Sequence, residues 1–113
     1  MNKIILTNAA RQDLRDIKEY ISNELNNSAA ATKIVSNITK HLHGLERYAK
    51  LGRVLTSKQG NPLNYRILVC GNYLAFYRIV DETRIHIDRI LHGQRDYLTM
   101  LFGSIQEDEA SEE

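Results

Sequence analysis

Within Tyr65–Phe102, three runs rich in Ile, Val, Leu and Tyr are broken by Cys70-Gly71-Asn72 and by Val80-Asp81-Glu82-Thr83. Short apolar runs parted by turn residues predict antiparallel strands. Along the second run, Tyr73, Ala75, Tyr77 and Ile79 fall on one face and Leu74, Phe76, Arg78 and Val80 on the other. Both faces are largely apolar, which makes this a central strand covered on one side by helices. Arg66, Arg78, Arg84, Arg89 and Arg95 punctuate the same stretch, which contains no Lys. A guanidinium is a planar fork suited to phosphate and carboxylate, so the functional surface is expected here.

The chain before this stretch supplies the helices. Lys3–Leu6 is a short apolar run able to add an edge strand. Thr7 and Asn8 are acceptable helix N-caps, and Ala10, Leu14, Ile17, Ile21 and Leu25 then recur at three- and four-residue steps. Asn26-Asn27-Ser28 offers a stop and a new N-cap. Ala31, Ile34, Val35, Ile38, Leu42 and Leu45 follow as a second stripe. Two amphipathic helices joined by so short a link run antiparallel. Burying each Leu or Ile is worth roughly 1.5–3 kcal/mol, so the hairpin needs the sheet. Tyr48–Asn64 is a polar connection holding Gly52, Gly60 and Pro62, with Arg53-Val54-Leu55 as a candidate extended piece. Gln94–Phe102 is expected to form a short terminal helix, with Asp96 as a candidate cap and Gly103 ending it.

These elements define an α+β domain: an N-terminal strand, an antiparallel αα-hairpin, a three-stranded antiparallel meander and a short C-terminal helix. One domain spans residues 1–102. Residues 103–113 carry five of the chain's 14 acids and no Lys or Arg, which leaves 15 basic against 9 acidic groups in the body. A basic body implies an anionic partner, and the tail reads as a disordered, solubilising end. No run reaches the roughly 20 apolar residues of a membrane span, and no signal-peptide layout opens the chain. The lone Cys70 has no disulfide or metal partner and sits in an apolar strand, as an inert core thiol does. A cytoplasmic protein without a cofactor or metal is expected.

The opening IILTNAARQDLRDIKEYI resembles the start of the RelE/ParE superfamily of type II toxin–antitoxin toxins. RILHGQRDYLTMLF resembles the C-terminal strand and turn of its ParE branch, where an Ile/Val-Leu-His-x-x-x-Asp pattern is typical. The likeness covers roughly residues 3–102 and leaves out the acidic tail. It implies a toxin held inactive, in a hetero-oligomer, by a cognate antitoxin. RelE-like members cut messenger RNA on the ribosome, whereas ParE-like members poison DNA gyrase. A third reading is a non-toxic binding module of the same descent.

Cleaving RNA without a metal requires a base, cations for the developing phosphorane charge, and an acid. His92 and Tyr97 are the candidate catalytic groups for that chemistry, and Arg66, Arg78, Arg89 and Arg95 the candidates for binding target or phosphate. Strand alternation puts His92 with Ile90, Asp88 and His86, and Arg89 with Leu91. Each candidate also has a structural role open to it: His92 as a turn residue, the arginines as partners of Asp81, Asp88 or Asp96. Tyr65, Tyr73, Phe76 and Tyr77 suit either base stacking or the core. RelE-type nucleases tend to carry an arginine in the middle strand where this chain has Leu74. That departure favours the ParE branch, acting on gyrase without chemistry of its own. Leu98, Leu101 and Phe102 are expected to bind the antitoxin.

Overall fold

The structure is a computed structural model in which residues 1–57 and 59–93 are described. Strand β1, Lys3–Leu6, leads directly into helix α1, Asn8–Glu19. Thr7 makes the junction. Its Oγ1 accepts from the Ala10 amide at 3.1 Å, capping the helix, and donates to the Asp88 carbonyl at 3.0 Å. One hydroxyl thus fixes where α1 begins relative to a strand 81 residues away.

The stripe of α1 does not continue to Leu25. Tyr20–Glu24 forms a π-helical turn, with the Leu25 amide donating to the Tyr20 carbonyl five residues back. The wider turn keeps Ile21 buried but rotates Leu25 off the stripe, where it stands 58% exposed. Asn26, at φ 50°, reverses the chain. Asn27 then caps α2, Ser28–His43, through its Oδ1 and the Ala30 amide at 3.0 Å. Gly44–Glu46 adds a tight 3-10 turn.

Strands β2 (Arg53–Thr56), β3 (Pro62–Cys70), β4 (Tyr73–Ile79) and β5 (Arg84–His92) complete a sheet of order β1-β5-β4-β3-β2. The expected three-stranded meander therefore has a fourth antiparallel strand, β2, while β1 joins the far edge parallel to β5. Gly71-Asn72 alone links β3 to β4, with Gly71 at φ 65°, the conformation a type II′ hairpin requires first.

As expected, β4 is central and apolar on both faces. Ala75 and Tyr77 join Leu68, Cys70, Ile85, Ile87 and Ile90 under Ala10, Ile38, Leu42 and Leu45 of the helical layer. Leu74 and Phe76 join Leu55, Ile67 and Leu91 on the opposite face. Simple alternation fails in β5. Phe76 pairs with Arg89 but Tyr77 pairs with Ile87, so Asp88 is an extra residue, a β-bulge. The bulge puts Ile90 in the same core as Ile85 and Ile87. It thereby separates Ile90 and His92 from the Asp88 and His86 with which alternation had grouped them. Among the described residues, no helix is long and apolar enough to cross a membrane.

Candidate functional site

Arg66 and Arg78 line one cleft, a cavity of about 160 Å³ where β3 begins and β4 ends, together with Val54, Leu63, Tyr65 and Ile79. Neither guanidinium is idle. Arg66 donates one Nη1–H to the Gly52 carbonyl at 2.7 Å. Arg78 grips Asp88 with two bonds, Nε to Oδ2 at 2.5 Å and Nη2 to Oδ1 at 3.3 Å. The hydrogen bond to Asp88 pushes the Arg78 pKa up further. Tyr65 shares that carboxylate: burial first, then the Asp88 bond, push its phenol up.

Arg89 is engaged elsewhere. Its Nε and Nη2 donate to both oxygens of Asp13 on α1, at 2.8 and 2.9 Å. Arg84 pairs with the exposed Asp81 in the β4–β5 turn, and the Thr83 amide, followed by Arg84, holds that carboxyl down at about 2. The expected target-binding set thus divides. Arg66 and Arg78 share a surface, Arg89 holds a helix to the sheet, and Arg95 lies outside the described residues.

His92 pairs with Tyr73 at the other end of β4, its ring edge-on to the phenol at 5.2 Å and 81°. Arg78 is five residues further along that strand, roughly 17 Å at the rise of a β-strand. A general base must stand within about 2.6–3.2 Å of the proton it removes. His92 and the Arg66–Arg78 cleft are therefore not brought together around one phosphate. Tyr97, Asp96, Leu98, Leu101, Phe102 and the terminal helix lie outside the described residues. Among the described residues, no group of three His, Cys, Asp or Glu side chains could hold a metal ion.

One surface was not singled out from sequence. A cavity of about 550 Å³ lies between α2 and the β3–β4 turn, lined by Lys33, Asn37 and Lys40 and by Gly71, Asn72 and Tyr73. A side chain at Gly71 would meet Asn37 Nδ2 at 3.5 Å, so helix and turn are in close register. The signal was present: Lys33, Asn37 and Lys40 fall at i, i+4 and i+7, one face of a helix.

The family model for the ParE toxin of the type II toxin–antitoxin system parDE matches residues 4–97. No curated protein sequence matches. Among solved structures, the chain is similar to one from a chromosomal ParDE toxin–antitoxin system of P. aeruginosa. The two are 24% identical with a TM-score of 0.67, over 81% of this chain and 96% of that one. It is similar too to a chain of the RelBE2 toxin–antitoxin complex of Mycobacterium tuberculosis, at 22% identity and a TM-score of 0.59, over 80% and 96%. At these identities the likeness is one of fold.

Proposed function

This chain belongs to the ParE toxin family of type II toxin–antitoxin systems, and from that premise we propose that it arrests growth by inhibiting DNA gyrase until a cognate antitoxin neutralises it. Fold alone does not choose a target, since ParDE and RelBE2 chains share it. The observation that carries the choice is the separation of His92 from Arg66 and Arg78 along β4. A nuclease concentrates base and cations on one phosphate; a protein that traps another enzyme needs only a binding surface. The bidentate carboxylates on Arg78 and Arg89 support the same reading, because both arginines already serve the fold.

A hetero-oligomer with the antitoxin follows from the family, and the M. tuberculosis neighbour is by its title a toxin–antitoxin complex. We place the antitoxin contact at Leu98, Leu101 and Phe102, within a single toxin domain of residues 1–102 that acts in the cytoplasm. The test is expression in a bacterial host with and without the gene beside it. Arrest relieved by that gene supports the proposal. New message ends at codon positions would transfer the chain to the ribosome-dependent nucleases, and unaffected growth in both strains would make it a binding module.

A further inference from the structure

The acidic segment 103–113 lies beyond the residues that the family model matches, and the groove beside α2 has the opposite charge. Its rim carries Lys33 and Lys40, both exposed, with Asn37 between them, and none of the described lining residues is a carboxylate. Across the groove, Gly71, Asn72 and Tyr73 form the facing wall. The described chain ends against that wall, because the Gly93 amide donates to the Asn72 carbonyl at 2.8 Å. Twenty residues follow Gly93, enough to span up to about 70 Å when extended.

The geometry points to this groove as a docking site for the chain's own acidic segment, residues 103–113. Three features select that occupant over a separate molecule. The segment carries five carboxylates, Glu107, Asp108, Glu109, Glu112 and Glu113, opposite in charge to the groove's two lysines. The segment is tethered to the end of β5, whose Gly93 amide is hydrogen-bonded to Asn72 of the groove's wall. A tether of this length holds it at an effective concentration in the millimolar range, which lets weak contacts between exposed charges suffice. Such contacts are screened by salt, so the docked state is one that ionic strength or a stronger anionic competitor reverses. The inference does not depend on the toxin reading, since the charge and tether are the same whatever the target.

The test uses the full chain, made cell-free and isotopically labelled, with a nitroxide on Ser111→Cys. Cys70 is buried and escapes labelling. Docking predicts selective loss of the amide signals of Asn37, Gly71 and Asn72 at low salt. That loss should disappear when all five tail acids become amides (E107Q, D108N, E109Q, E112Q, E113Q). It should also disappear in the double variant Lys33→Gln, Lys40→Gln. Loss centred on Arg11 and Arg15 of α1, or no local loss at all, overturns the proposal. So does a groove signal that survives neutralisation of the tail. These readouts move independently of any growth phenotype.

Discussion

Asp13 and Arg89, 76 residues apart, close a two-bonded ion pair at 2.8 and 2.9 Å, and Asp13 Oδ2 also accepts the Ile90 amide at 2.8 Å. Strand β1 ends at Leu6 opposite Ile87, so among the described residues the edge of β5 beyond that point has no strand beside it. The carboxylate of α1 takes over as partner for that backbone and locks helix to sheet. Removing it leaves a part-buried guanidinium and an amide without their acceptor. Asp13→Ala should lower stability by about 2–4 kcal/mol, measured as a shift in urea midpoint at unchanged slope. A change under roughly 0.5 kcal/mol, the range of ordinary surface substitutions, would contradict this account.

A second long-range lock holds β2. The Tyr77 hydroxyl donates to the Ala49 carbonyl at 2.8 Å and accepts the Gly52 amide at 2.9 Å. Tyr77→Phe strips both partners and should cost about 1–3 kcal/mol. Gly52→Ala should cost more, because its Cβ would stand 2.5 Å from the Ile67 carbonyl oxygen and 2.8 Å from the Tyr77 ring. Thermal denaturation of the two variants tests the order. Equal melting temperatures would mean that the backbone approach at Gly52 is not the constraint.

Burial pushes the Cys70 thiol up from its ordinary 9.0 to about 11. The folded state therefore holds this proton more tightly than the unfolded state does. The resulting stability is complete below pH 9.0 and is lost as pH rises through about 11. Tyr65, Tyr73 and Tyr77, each raised chiefly by burial, add to the same alkaline decline. Asp81 works in the acid range: its contribution is present above 3.8 and is lost as pH falls through about 2. A melting-temperature profile should fall across the alkaline window, and native Cys70 should resist alkylation at pH 8. Rapid alkylation without denaturant would contradict the packing described.

The hairpin of α1 and α2 was legible because both ingredients are local, an apolar stripe and the caps Thr7 and Asn27. The centrality of β4 was legible too, from two apolar faces on one short run. The π turn was not, since Ile21 and Leu25 keep an uninterrupted helical spacing and only the backbone reveals the wider turn. The bulge at Asp88 was hidden for a similar reason: alternation through β5 looks continuous in sequence. It exists where Arg78 draws the Asp88 side chain and Thr7 takes its carbonyl. Among the arginines, the pairing of Arg78 with Asp88 was one of the roles open in the sequence, whereas Arg89 reaches Asp13 across 76 residues, a partner that no local pattern marks. Strand β2 was legible as the extended piece Arg53-Val54-Leu55, but its place in the sheet was not, because Tyr77 and Arg66 hold Gly52 beside it from other strands.

If the chain acts by binding, substituting His92 should spare its toxicity. His92→Gln removes an edge-on ring contact with Tyr73, worth about 0.5–1.5 kcal/mol, and should leave growth arrest undiminished in a variant that still folds. Arrest abolished with the fold intact, verified by circular dichroism, would restore His92 as a catalytic group.

If this ParE-family chain acts on gyrase, the enzyme alone should respond to it. Purified chain added to gyrase, ATP and relaxed plasmid tests this most directly. Supercoiling should stop, and linear, enzyme-linked DNA should accumulate on denaturing the mixture. Normal supercoiling at saturating chain, alongside message cleavage in a translating extract, would contradict action on gyrase.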